Sequence, residues 1–167
     1  MIKRLISVVV LCLGWPLAGS ANDYATGERL YTAGDFAGAK AVFAHLREQG
    51  HAGAEFMTGI MLLNGQGFAR DLRIAAVWFY RAAQKGDAGA QLVFGSQRLY
   101  GQGIRPDVED AYLWLTLAAR TENPAIAHQA KVFLAEATSR MSAREVAEAE
   151  KAARDWRPRR AGFSSRL

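Results

Sequence analysis

The chain has 167 residues, half of them hydrophobic, and a formal net charge of +5. This length suits one domain, and the single cysteine, Cys12, excludes an intramolecular disulfide and a cysteine-ligated metal site. The positive charge lies at the two ends, because residues 22–153 hold 14 basic and 15 acidic side chains.

Residues 1–21 have the three parts of a secretory signal peptide. Lys3 and Arg4 give a positive start, Leu5 to Ala18 form an apolar run, and small residues follow up to Ala21. The run is shorter than the roughly 20 residues needed to cross a membrane. We therefore predict a periplasmic or secreted protein with no membrane span after cleavage; a retained N-terminal anchor is the alternative.

Two adjacent segments, residues 51–86 and 87–122, are copies of one pattern in an uninterrupted 36-residue register. A fixed period of this length is typical of repeat architectures. Each copy predicts a first helix, over about residues 52–64 and 88–100, then a Gly-Gln-Gly loop and a second helix.

Local signals mark where these helices begin and end. The first glycine of each loop can adopt the left-handed conformation that closes a helix. Asp71 and Asp107 stand where an N-cap belongs. An apolar stripe at helical spacing follows, in the first copy Ala75, Phe79, Ala82 and Ala83, and the two tryptophans at positions 78 and 114 are expected to fill space between layers.

The same register, extended outward, predicts a degenerate copy at each end. Residues 22–50 and 123–156 lack the Gly-x-Gly loop, as terminal repeats often do, and Ser142 to Glu145 form a capping-box pattern. The predicted fold is all-α: a right-handed α-solenoid of about four stacked hairpins and eight helices. Residues 157–167 are predicted to be a disordered basic tail.

The repeated pattern, with its spaced glycines, aspartate, tryptophan and alanines, resembles the Sel1-like repeat, a relative of the tetratricopeptide repeat. Residues 51–122 carry the resemblance. The family usually has leucine before the first glycine, where this chain has Thr58 or Phe94, and tyrosine three residues after it, where this chain has Leu62 or Arg98. The resemblance implies a scaffold that binds other proteins.

No motif predicts catalysis, a cofactor or a metal. The Gly-x-Gly loops follow helices rather than strands, so they do not indicate nucleotide binding. The three histidines have no ligand spacing beyond a loose pairing of His51 with Glu55, and no nucleophile has a neighbouring base. The C-terminal basic cluster is most simply a solvated end of an exported chain, so binding to nucleic acid is not expected.

The candidate site is a surface rather than a pocket of reactive groups. We expect the first helices to line one concave wall, with Glu55, Gln91, Arg98 and Tyr100 as candidate protein contacts. For Glu55 and Gln91 the alternative is that they are ordinary solvated residues. Arg98 could pair with Glu55 on the neighbouring helix or with a carboxylate of a partner.

The sequence therefore predicts a non-enzymatic, monomeric periplasmic adaptor or regulatory protein that binds an unidentified protein partner through its groove. Two alternatives stay open. One is a cell-wall-associated hydrolase-like or peptidoglycan-binding module, which some relatives of the family suggest. The other is a stabilising subunit of a larger envelope complex.

Overall fold

The computed structural model describes residues 20–159, with side chains from residue 23 onward, and every regular element in that range is an α-helix. The helices are α1 (Ser20–Thr32), α2 (Phe36–Glu48), α3 (Ala52–Asn64), α4 (Leu72–Gln84), α5 (Ala88–Tyr100), α6 (Val108–Ala118), α7 (Pro124–Ser139) and α8 (Ala143–Asp155). The all-α repeat solenoid predicted from the sequence is confirmed.

The first six helices pack as three hairpins, and the last two helices, α7 and α8, do not form a fourth hairpin. Helix α1 packs on α2, α3 on α4 and α5 on α6, and each hairpin packs on the next. The last two helices each pack on α6 more than on one another. They close the stack by covering its final second helix, whose Tyr112 and Leu115 are buried with Ala137 of α7 and Ala149 of α8.

The predicted helix boundaries within the repeats are confirmed, because local signals set them. Gly65 and Gly101 close α3 and α5 in the left-handed conformation, each with a φ of 73°. Asp71 accepts a hydrogen bond from the backbone N–H of Ile74, at 3.0 Å. Asp107 caps α6, and the capping box that opens α8 is present.

The second glycine of each loop also joins neighbouring repeats. Gly103 has a φ of 81°, and a Cβ atom there would lie 2.5 Å from the carbonyl oxygen of Leu72, the first residue of α4. Gly67 makes the same close approach to α2. The loop glycines therefore both turn the chain and let it contact the preceding repeat.

The N-terminal copy follows the 36-residue register only in its second helix. The first helices α1, α3 and α5 each have a glycine that faces a large residue of the next helix: Gly27 faces Phe43, Gly59 faces Phe79 and Gly95 faces Leu115. The large residues are 36 positions apart, but the first two glycines are only 32 apart. Without the Gly-Gln-Gly loop, the α1–α2 connection is shorter, so the sequence of α1 is shifted by four residues, about one helical turn, relative to the 36-residue register.

The segment after α8 differs from its prediction. Residues 157–159 belong to the predicted disordered tail, yet Arg159 donates its backbone N–H to the carbonyl of Gln84 at 2.7 Å, and Pro158 lies beside Gly86. The chain is therefore ordered at Pro158 and Arg159, contrary to that prediction, because Arg159 binds the last residue of α4 and Pro158 packs just beyond it. We call Trp156–Arg159 the strap.

The other predictions about the two chain ends concern residues outside the range 20–159. Residues 160–167 of the predicted tail and residues 1–19 of the predicted signal peptide lie outside the described residues. Within residues 20–159, no helix has both the length and the apolar character needed to cross a membrane.

Candidate interaction site

An open cavity of about 650 Å³ lies between the second helices α4 and α6, with α5 and the strap completing its walls. Its volume is within the range of about 300–1,000 Å³ that small-ligand sites usually have. The sequence analysis expected a wall made by first helices, but this cavity is built mainly by second helices.

Aromatic rings form the apolar wall of the cavity. Trp114 is 4% exposed, and its ring meets those of Tyr80, Phe94 and Trp156 edge to face, with centroids 5.9, 5.7 and 6.1 Å away. Such edge-to-face arrangements are favourable for aromatic rings. The cluster gives the cavity a fixed shape, because one residue from each of α4, α5, α6 and the strap contributes to it.

An ion-pair network forms the polar end of the cavity. Asp110 accepts hydrogen bonds from the Trp114 indole N–H at 2.9 Å and from Arg98 Nε at 2.6 Å. Arg98 also binds Asp107 at 2.8 Å. Of the two alternatives for Arg98, the pairing with Glu55 is wrong, because Arg98 binds acidic residues at the start of its own repeat's second helix. Arg98 does line the cavity.

Glu55 is not a surface residue. Its side chain is fully buried, with Arg81 Nη2 3.0 Å from Oε1 and Lys85 Nζ 2.7 Å from Oε2. The second contact is an ion pair without the alignment of a directed hydrogen bond. Gln91 is 3% exposed and donates to the carbonyl of Ala83 at 3.3 Å. The expectation that these two side chains are solvated or face a partner is wrong, because both pack against the α4 helix.

Tyr100 is exposed but does not line the cavity. Its hydroxyl donates a hydrogen bond to Glu136 on α7, and this bond raises the pKa of Tyr100 above its ordinary value. Arg140 lies over the ring. Tyr100 thus helps to join α5 to α7, and its predicted role as a partner contact stays a prediction.

Sequence reasoning missed the exposed apolar face of α4. Ile74, Val77 and Tyr80 are 49%, 56% and 40% exposed, and the last two line the cavity. They recur every three residues on the side of α4 away from its buried alanine stripe. A second apolar stripe on a helix whose first stripe already forms the core was a signal that could have located this site.

Histidines and carboxylates do not gather into a metal site in the part of the chain that the structure describes. His51 instead caps α3: its Nδ1 accepts a hydrogen bond from the N–H of Ala54 at 3.2 Å, and its ring stacks on Tyr24. Asp87 is the equivalent cap of α5, and burial raises the pKa of its carboxyl above the usual value.

Comparison with known proteins agrees with this architecture. The family model described as Sel1 repeat matches residues 52–87 and 95–120. Residues 52–120 of the chain therefore contain Sel1 repeats. No curated protein matches the chain in sequence.

Two solved structures resemble this Sel1 repeat protein in fold. One is c5321, described as a protective antigen of uropathogenic Escherichia coli with an SLR fold, at 22% identity and a TM-score of 0.73. The other is a Sel1 repeat protein from Oxalobacter formigenes, at 24% identity and a TM-score of 0.63. Each alignment covers 83% of this chain but only 30% and 55% of the two relatives, so this Sel1 repeat protein corresponds to part of each.

The Sel1 repeat fold is typically a non-catalytic scaffold for protein–protein interaction. In this chain, the cavity beside Trp114 is a concave feature with an aromatic wall.

Proposed function

We propose that this Sel1 repeat protein is an exported, monomeric adaptor that binds a partner protein at the cavity between α4 and α6. The observation that carries the proposal is the exposed stripe of Ile74, Val77 and Tyr80, which continues into the aromatic cavity. Exposed apolar patches on soluble proteins commonly mark interaction sites. The signal-like residues 1–21 support a periplasmic or secreted location for this adaptor.

The arrangement gives less support to a hydrolase-like role. Asp110 is the one carboxylate among the described residues that line the cavity, and Arg98 and Trp114 already bind both of its oxygens. No second carboxylate and no histidine lines the cavity among these residues, so Asp110 has no partner with which to form an acid–base pair. The geometry therefore favours recognition over proton transfer.

The binding proposal can be tested by placing a photo-cross-linking amino acid at Val77 in living cells. We expect a discrete cross-linked product, because Val77 is 56% exposed at the cavity. The same amino acid at Lys131, on the exposed side of α7, is the matched control. Equal product patterns at the two positions, or no product at Val77, would contradict the proposal.

The location needs a separate test. Cell fractionation should find the protein in the periplasm or medium, shortened by the predicted signal peptide. Retention in the cytoplasm at full length would contradict export while leaving the binding proposal intact.

A further inference from the structure

The chemistry of the cavity defines the kind of segment that it can accept. Along α4, the stripe from Ile74 to Tyr80 spans about 9 Å, because a helix rises about 1.5 Å per residue. An extended chain advances about 3.3 Å per residue, so roughly three residues of a partner would cover this stripe. One aromatic or long aliphatic side chain could then enter against Tyr80 and Trp114, which form the apolar wall.

The uncompensated charge at the cavity is positive. Arg98 and Asp110 compensate one another by direct pairing. Arg157 and Arg159 of the strap are exposed, and their guanidinium groups donate only to backbone carbonyls and to the side-chain oxygen of Gln84. Neither guanidinium has a carboxylate partner among residues 20–159, so both can form ion pairs with a ligand.

The strap holds these two arginines beside the apolar wall. The backbone of Arg159 is bonded to Gln84 at the end of α4, and the ring of Trp156 packs on Trp114. The helix that precedes the strap is fixed as well, because Arg120 donates to the carbonyl of Ala153 at 2.7 Å. The positive groups are therefore fixed by the fold at one edge of an apolar cavity.

We infer that the cavity takes a short acidic segment of a partner protein, in which carboxylates flank one aromatic or long aliphatic residue. Arg157 and Arg159 bind the carboxylates, and Tyr80 and Trp114 contact the apolar side chain. This inference rests on the proposed function and adds the chemistry of the partner. It also makes the strap, rather than the repeats alone, the source of specificity.

The probes are three fluorescein-labelled synthetic peptides with a central tryptophan. Its neighbours on both sides are aspartate and glutamate in the first peptide, serine and glycine in the second, and lysine in the third. Binding to the purified full-length protein is followed by fluorescence anisotropy at low and at physiological salt. We expect the acidic peptide to bind about tenfold more tightly than the neutral one, and this preference to shrink as salt screens the charges.

Two double variants separate the charge inference from the proposed function. Replacing the strap arginines, Arg157→Gln with Arg159→Gln, should remove the preference for the acidic peptide. The matched control is Arg144→Gln with Arg154→Gln, which removes the same amount of charge from exposed residues of α8 outside the cavity. This control variant should still prefer the acidic peptide. Circular dichroism establishes that both variants are folded.

The variant Val77→Asp places a charge on the apolar stripe and should weaken binding of every peptide. If all three peptides bind equally and Val77→Asp abolishes their binding, the cavity is a binding site but the charge inference is wrong. If the acidic peptide does not bind, or the lysine peptide binds best, the inference is also overturned. The Val77 cross-linking result then decides separately whether the cavity binds a protein at all.

Discussion

The two central repeats, residues 51–86 and 87–122, have the same helices and loops, but different groups of side chains contact one another at equivalent positions. The first repeat has the buried ion-pair set of Glu55, Arg81 and Lys85, and the equivalent positions in the second hold Gln91, Leu117 and Thr121. At the other end, Leu62 and Ile74 of the first repeat correspond to the ion pair of Arg98 and Asp110.

These differences show that substitutions between the repeats are compensated locally. A charge that is introduced at one position is accompanied by its partner at another, because a buried charge without a partner is costly. The loop glycines and the aspartates that cap the second helices, Asp71 and Asp107, stay the same, since the loop geometry requires them. The two repeats thus have the same helices and loops, and side chains that contact one another differ together between them.

The tryptophans offer the strongest test of this comparison. Trp114 is 4% exposed within the aromatic cluster, whereas Trp78 is half-buried, with the guanidinium groups of Arg47 and Arg81 4.5 and 4.6 Å from its ring centroid. We expect Trp114→Ala to lower the free energy of unfolding by about 3–5 kcal/mol, because it leaves a cavity in the core. Trp78→Ala should cost about half as much, since less apolar surface is lost.

Urea denaturation of both variants measures these two costs. Equal losses would show that the two tryptophans have the same structural role. A larger loss for Trp78→Ala would contradict the assignment of Trp114 to the more buried position.

The buried ion-pair set gives the next largest effect. Glu55→Gln places the second repeat's residue type in the first repeat and leaves Arg81 and Lys85 without their carboxylate. We expect a loss of about 2–3 kcal/mol, less than the usual cost of breaking a buried pair, because Arg81 is half-exposed and regains water.

The triple variant Glu55→Gln, Arg81→Leu and Lys85→Thr converts the whole set to that of the second repeat. It should recover about half of the stability that Glu55→Gln loses, as expected for residues that form one network. Losses that simply add over the three substitutions would show that the differences between the repeats are independent. That result would contradict the conclusion that the residues that differ between the repeats compensate one another.

The outcome of sequence reasoning depended on how far apart the interacting residues lie in the chain. Helices α3 and α5 were predicted to the residue, because the Gly-Gln-Gly loop and the aspartate caps act within a few positions. The burial of Glu55 depends on Arg81, 26 positions away, and the strap binds α4 through residues 75 positions apart. No local pattern specifies such pairings, so of four candidate contacts only Arg98 lines the cavity.

A polar residue in the core of the second repeat gives a smaller effect, in the stabilising direction. Gln97 is 1% exposed, and neither atom of its side-chain amide has a hydrogen-bond partner among the described residues. The equivalent residue of the first repeat, Met61, lies in an apolar cluster. Gln97→Met should therefore raise the free energy of unfolding by about 1–2 kcal/mol, because an unsatisfied buried amide is removed.

The reciprocal change, Met61→Gln, is the matched control and should destabilise the protein. Thermal or urea denaturation of the two variants gives opposite signs if the repeats are equivalent at this position. A loss of stability in both would mean that Gln97 has a favourable role that the comparison with Met61 does not reveal.

The N-cap of α5 gives the smallest effect, and it depends on pH. Burial raises the pKa of Asp87, so the folded protein holds its proton more tightly than the unfolded chain does. The resulting stabilisation is complete below the unfolded pKa of about 3.9 and is lost as the pH rises through the folded pKa.

Asp87→Asn keeps the cap without a charge to bury, and Asn123 already caps α7 in this way. The variant should be more stable than the parent at pH 7, by less than about 1 kcal/mol, and this advantage should disappear toward pH 3. Urea denaturation at several pH values measures the difference, and an advantage that does not change with pH would show that Asp87 is not penalised by burial.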